Sequence, residues 1–365
     1  MPEGGMSGGI VQVAIGLGDV GGTAHLGRLV ARTLAAYAAE KALPFEVLDL
    51  GRADPRLAGI ARTGFHGDRL ALARAVAARQ LARRRPRLLF FDHLGPSRIQ
   101  TLLPSLFRAP YVVFIHGIEV WKPLDSQRRR ALAGAVRVLT NSETTARQAA
   151  PYLPERVKPL PVHLALEPAA DAGEADSALL AHAGAGFVLT VGRLGSDRKG
   201  YDELLAALPA LRALAPDARL VVAGGGSDQP RLAALARDLG VAGAVLFTGQ
   251  ISDATLAALY ERAAVFALPS RVEGFGLVFV EAMRAGKPCV ALAGTAPAEI
   301  VVHGETGLHA SDAEPATLAS ALARLLANPD EAARLGEAGR ARYLAEFTAE
   351  AFAARLWPHL DALLA

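Results

Sequence analysis

The sequence predicts an α/β protein built of two doubly wound domains, each a parallel sheet with helices on both faces. Three observations predict it. Short apolar runs rich in Val, Leu and Phe alternate with Ala-rich helical stretches, as buried parallel strands joined by crossover helices do. The alternation breaks once, after Leu164, and then restarts. The length of 365 residues accommodates two domains, each of roughly 100–200 residues.

In the first half, strands are expected over Ile10–Ile15, Phe45–Leu50, Arg87–Asp92, Tyr111–His116, Val136–Asn141 and Lys158–Val162. Helices are expected between them, including His25–Glu40 and Asp68–Arg84. Residues 166–186, rich in Ala, Gly, Asp and Glu, read as a linker between a domain over 1–165 and another over 187–347. In the second half, strands are expected over Phe187–Val191, Ala218–Ala223, Ala244–Thr248, Val265–Leu268 and Pro288–Leu292. Helices include Tyr201–Ala215 and Thr255–Ala263. From Ala316 onward the pattern is almost wholly helical, with a break expected near Pro358. Two such domains would face a cleft, with ligand loops at the carboxyl ends of the strands.

Apolar residues make up 52% and charged residues 21%, so sizeable cores can form and wholesale disorder is excluded. Mean hydropathy is +0.25, yet no uninterrupted apolar run of about 18 residues exists to span a bilayer. The start of the chain has no basic segment of a secretory leader, so a cytoplasmic protein is expected. The single cysteine, Cys289, excludes an internal disulfide framework and a Cys-rich metal site, and its apolar neighbours predict a buried thiol. Charge is uneven. Residues 1–165 hold 23 Lys and Arg against 12 Asp and Glu, whereas residues 166–365 hold 16 against 24. Either the first half faces something anionic, or its Arg-rich helix faces are simply solvated.

Gly16-Leu17-Gly18-Asp19-Val20-Gly21 follows a strand and opens a helix, the context of a dinucleotide-binding turn. Asp49 ends the second strand, where a ribose-binding acid would stand, though later than the usual spacing of about 20 residues. A nicotinamide oxidoreductase therefore stays open, against close packing of a glycine turn.

The second half carries a denser set of signals. Glu273-Gly274-Phe275-Gly276 precedes Leu277 and a helical run containing Glu281. Glu273 falls in a loop and Glu281 on the second turn of the helix. The glycines allow close ligand approach, and the N–H groups at the helix start suit an anion. A carboxylate can accept hydrogen bonds from two neighbouring sugar hydroxyls. The alternative is a helix-capping Glu273 and a solvated Glu281. Gly192-Arg193 closes the first strand of this half and Lys199 follows six residues later. An Arg fork and a Lys point charge can converge there on a diphosphate. Gly224-Gly225-Gly226 and Gly249 close the next two strands. No Asp-x-Asp occurs, so the usual ligands of a divalent-metal clamp are missing.

Together these segments resemble glycosyltransferase family 4, the retaining glycosyltransferases of GT-B fold that use nucleotide-sugar donors. The resemblance spans nearly all of residues 187–347 and is carried by Val191-Gly192-Arg193, Lys199-Gly200, Val221–Gly226, Phe247-Thr248-Gly249, Pro269-Ser270, the Glu273-to-Glu281 segment, and Glu299-Ile300-Val301 with Gly304 and Thr306-Gly307-Leu308. The first half is similar more weakly, through Gly21-Gly22, His116-Gly117-Ile118-Glu119 and Asn141-Ser142. Before Glu299 the chain reads Ala293-Gly294-Thr295-Ala296-Pro297-Ala298 where the family often has Gly-Gly, in a loop that would lie near the transferred sugar.

The resemblance implies roles. Arg193 and Lys199 would hold the donor diphosphate, Glu281 the ribose, and Glu273 the hydroxyls of the sugar. N–H groups of Phe275, Gly276 and Leu277 would assist, with Gly225, Gly249 and Gly274 lining the nucleotide. Gly21 and Gly22 would admit phosphates and acceptor, and His116 would meet the donor sugar across the cleft. His93, at another strand end, is a further candidate. The donor would be UDP- or GDP-linked, with no cofactor or metal required. The first domain would take a glycan, lipid-linked or small-molecule acceptor, and the tail from about 348 to 365 would return to it. Clustered Arg79, Arg83, Arg84, Arg85 and Arg87, with Arg128, Arg129 and Arg130, suggest peripheral contact with an anionic membrane. No nucleic-acid-binding module accompanies the charge. A GT-B epimerase or hydrolase, the oxidoreductase, and a protein that binds donor without turnover are the competing readings.

Overall fold

A computed structural model describes residues 8–19, 21–52, 54–168, 173–195 and 199–365. It divides into two units: residues up to Glu167 together with Thr348–Ala365, and Pro168–Phe347.

The first unit contains seven strands: β1 (Ile10–Ala14), β2 (Phe45–Asp49), β3 (Ala61–Gly64), β4 (Leu88–Phe91), β5 (Tyr111–Ile115), β6 (Arg137–Thr140) and β7 (Leu160–Pro161). They form one parallel sheet in the order β3-β2-β1-β4-β5-β6-β7. The two-residue period of a strand sends Val11, Val13, Leu89, Phe91, Val113 and Ile115 into one core cluster. Ile10, Leu88, Phe90, Val112 and Phe114 are buried as well, so the central strands are covered on both faces. Asp68, Asp125 and Ser142 cap the helices Arg69–Leu81, Ser126–Gly134 and Glu143–Ala149 by accepting backbone N–H bonds.

The second unit contains β8 (Val188–Val191), β9 (Leu220–Ala223), β10 (Val245–Gly249), β11 (Val265–Leu268), β12 (Cys289–Leu292) and β13 (Gly307–Ala310), parallel in the order β10-β9-β8-β11-β12-β13. Cys289 is a buried thiol at the start of β12. No helix among the described residues is long and apolar enough to cross a membrane.

The structure departs from the sequence reading in four places. Strand β3 was not expected: Ala-Arg-Thr-Gly is an edge segment with exposed side chains and no apolar run. Strand β13, Gly-Leu-His-Ala, is too short and mixed for a clear signal. The expected linker contains the helix Ser177–Ala183, capped by Asp176, whose side chain accepts from the Leu179 N–H; residues 169–172 of that stretch lie outside the described residues. The final helix, Ala349–Leu364, runs through Pro358. Proline removes one helical hydrogen bond, but neighbours on both sides anchor the helix. The Trp357 ring meets Tyr37 edge-on at 5.6 Å, and Asp361 accepts from the Tyr37 hydroxyl at 2.9 Å.

Candidate active site

In an open parallel sheet, a ligand crevice opens at the carboxyl edge where strand order reverses. In the second unit that point lies between β8 and β11. The loop after β8 carries Gly192, Arg193 and Lys199, and the loop after β11 carries Glu273–Gly276. Ser196, Asp197 and Arg198, in the first of these loops, lie outside the described residues.

The two loops meet through charge. The Lys199 ammonium donates to Oε2 of Glu273, and both side chains keep some exposure. Arg193 is exposed. Neighbouring glycines let backbones approach. A Cβ on Gly224 would lie 2.1 Å from the Gly192 carbonyl oxygen, so only glycine fits there. The carbonyl of Gly225 accepts from the Leu194 N–H at 3.1 Å, and that of Gly249 from the Gly224 N–H at 3.1 Å. These bonds tie the three strand-end loops into one floor.

Gly276, at φ 107° in the left-handed region, precedes the helix Leu277–Arg284. Gly274 and Phe275 lie in the turn before it, and Leu277 is the first helical residue. Glu281 stands on the second turn of this helix. It is half-buried and partnered: the Tyr260 hydroxyl donates to its Oε2 at 2.8 Å. Burial raises the Glu281 carboxyl above its usual range, and the tyrosine bond pulls it back. Burial and the nearby carboxylate raise the Tyr260 hydroxyl well above its usual range, so it stays a donor. Sequence reasoning missed Tyr260. The need of a buried tyrosine for a polar partner was the only hint.

The corresponding crevice of the first unit lies between β1 and β4. There the glycine loop closes on its own framework. Asp49 is buried, and its carboxylate accepts from the N–H groups of Gly16 at 2.8 Å, Leu17 at 3.1 Å and Gly51 at 2.9 Å. Arg28 donates to the Leu17 carbonyl at 2.7 Å and to Glu167 at 2.8 Å. The acid that a nicotinamide reading assigns to a ribose therefore holds the loop itself. Gly21 and Gly22 lie where that loop enters the helix Gly22–Glu40; Val20 lies outside the described residues.

His116 follows β5. Its Nε2 donates to the Asp92 carbonyl, which fixes a proton on that nitrogen. Its backbone N–H donates to Glu119 at 2.8 Å, and Asn141 donates to its carbonyl at 2.8 Å. The ring stacks between Phe114 and His93. His93 accepts from the Gly95 N–H through Nδ1 at 2.9 Å, and burial lowers it to about 4. It is a neutral helix cap.

The basic residues divide. Arg79 forms a forked pair with Glu46, Arg87 donates to the Leu364 carbonyl and Arg128 pairs with Asp125. Arg83, Arg84 and Arg85 are exposed, as are Leu81, Leu102 and Leu106, at 55%, 68% and 78%. Arg85 binds the Leu106 carbonyl at 3.1 Å and covers the Phe107 ring.

The fold and the switch-point loops define a doubly wound α/β architecture, and comparison with known proteins specifies it. The sequence profile described as "Glycosyl transferases group 1" matches residues 174–342, which lie within the second unit. A GDP-mannose-dependent alpha-(1-6)-phosphatidylinositol monomannoside mannosyltransferase of Mycobacterium tuberculosis is 42% identical over 167 residues, 44% of this chain and 43% of the relative. A D-inositol 3-phosphate glycosyltransferase of Acidothermus cellulolyticus is 36% identical over 212 residues, 53% of this chain and 46% of the relative. The chain thus matches less than half the length of these curated relatives. Solved structures show the fold of the whole. Sucrose-phosphate synthase from Thermosynechococcus elongatus aligns with TM-score 0.75 at 24% identity, over 97% of this chain and 99% of that one. Anabaena HepE in complex with UDP and glucose aligns with TM-score 0.77 at 19% identity over the same shares. The chain has the GT-B fold.

Proposed function

We propose that the protein is a retaining glycosyltransferase that moves a hexose from a nucleoside-diphosphate sugar to a hydroxyl of a glycan, lipid-linked or small-molecule acceptor, without a divalent metal. The observation that carries this reading is the meeting of Lys199 with Glu273, beside exposed Arg193, at the switch point of the unit that the glycosyltransferase profile matches. A UDP- or GDP-linked donor fits the names of the relatives and neighbours.

Arg193 and Lys199 face the departing diphosphate and stabilise the charge that grows there, the part a metal clamp plays elsewhere. Glu281 holds the ribose hydroxyls, and Tyr260 occupies only one of its acceptor sites. Glu273 and the N–H groups of Phe275, Gly276 and Leu277 position the sugar. The bond from the anomeric carbon to the diphosphate breaks, and the acceptor oxygen bonds on the same face. The acceptor proton passes to a diphosphate oxygen. In the first unit, His116, Gly21 and Gly22 are assigned as substrate contacts.

Incubation with UDP- and GDP-hexoses and a cell lipid extract, read by mass spectrometry, tests this. One donor should add a hexose mass to an acceptor, with or without EDTA. Nucleotide release with no acceptor gaining mass would favour a hydrolase or epimerase. Loss in EDTA restored by Mg²⁺ would contradict the metal-free step. The exposed Arg83–Arg85 and Leu102–Leu106 surface suits an anionic bilayer, at about 1 kcal/mol per basic residue. Sedimentation with anionic vesicles should rise at low salt and drop when Arg83, Arg84 and Arg85 become Ser. Indifference to anionic lipid would favour a soluble acceptor.

A further inference from the structure

Glu273 cannot serve a sugar and neutralise Lys199 with the same lone pairs at full strength, nor can Lys199 serve a diphosphate while it faces Glu273. The ligand-free arrangement joins the two. Two residues beyond Lys199, the Tyr201 hydroxyl is buried and has no hydrogen-bond partner among the described residues. It sits against the same strand end, 2.6 Å from where a Cβ on Gly192 would lie. An unpaired buried donor is costly and calls for an acceptor. Burial and the charge of Glu273 both raise the Tyr201 hydroxyl, which keeps its proton and feels that carboxylate.

We propose that Lys199–Glu273 is a latch opened by the donor diphosphate, and that Tyr201 is a positioning residue that receives Glu273 once Lys199 turns away. The diphosphate offers Lys199 more negative charge than one carboxylate does. Glu273, released, takes the waiting hydroxyl of Tyr201 through one oxygen and keeps the other for the hydroxyls of the sugar. The carboxylate is thus delivered to the sugar only when a diphosphate is present, a specificity filter against free sugars. This rests on the proposed donor site.

Titration calorimetry of the full chain with UDP and GDP tests it. Glu273→Gln removes a competitor for Lys199, so the nucleotide that binds should bind about two- to fivefold more tightly, the scale of a partly exposed ion pair. Tyr201→Phe should weaken that nucleotide severalfold without lowering the melting temperature, because its hydroxyl is unbonded in the free protein. In a Glu273→Ala background, Tyr201→Phe should change nothing, as a pathway through Glu273 requires. A purely structural tyrosine would lower the melting temperature in both backgrounds. Unchanged or weaker binding by Glu273→Gln overturns the latch while leaving the donor site standing. Absence of UDP and GDP binding by the wild-type protein overturns the donor site and the latch with it.

Discussion

The loops after β1 and after β8 occupy the same place in two sheets of matching order, and they do opposite things. After β1, Asp49 and Arg28 are turned inward. Asp49 takes three loop N–H groups, and Arg28 clasps a loop carbonyl and Glu167. After β8, two cations stay accessible: Arg193 is exposed, and among the described residues Lys199 pairs with a partly exposed carboxylate from another loop. A glycine-rich turn is therefore a backbone solution common to both sheets, and the side chains around it decide whether it is framework or site.

The largest expected effect breaks the framework side. Asp49→Ala leaves three backbone N–H groups without their acceptor, and each such loss costs about 1–3 kcal/mol. Chemical denaturation should show at least about 3 kcal/mol of lost stability by that reckoning. A loss under about 1 kcal/mol would mean that the loop does not depend on this carboxylate.

A smaller effect sharpens the contrast through pH. Asp92 is fully buried beneath the same loop, bonded by the Gln12 amide at 3.0 Å. Burial raises its carboxyl well above the usual range, with Asp49 adding to the rise. Its folded-state affinity for a proton therefore exceeds its unfolded one. Its stabilising contribution is complete below about pH 4, the unfolded value, and fades as pH rises through the folded value. Asp92→Asn should raise the melting temperature at pH 8 relative to wild type and leave it nearly equal at pH 4. An equal shift at both pH values would show that charge is not the cause.

Most strands were legible because buried parallel strands are apolar runs, as Leu88–Phe91 and Val265–Leu268 are. Edge strand β3 was not, because its Arg62 and Thr63 carry no burial signal. Glu273, Lys199 and Glu281 were legible as a motif, but their partnerships were not. Tyr260 lies 21 residues before Glu281 and Lys199 lies 74 before Glu273, and no periodicity reports contacts at such separations. The same holds for Asp49, whose position invited a ribose role until the geometry gave it to the loop. Arg79 and Arg128 counted toward a basic surface in the sequence, and the fold pairs them with Glu46 and Asp125.

The central proposal is that the β8–β11 crevice, with Glu281, holds a nucleoside diphosphate, and that the β1 loop is not a dinucleotide site. Titration calorimetry of UDP, GDP and NAD against the wild-type protein and Glu281→Ala tests it most directly. One nucleoside diphosphate should bind the wild type, and Glu281→Ala should weaken it by about 1.5–3 kcal/mol, the worth of a hydrogen bond to a charged group. NAD should give no heat with either protein. Binding of NAD with both nucleoside diphosphates silent, or an affinity untouched by Glu281→Ala, would contradict the account.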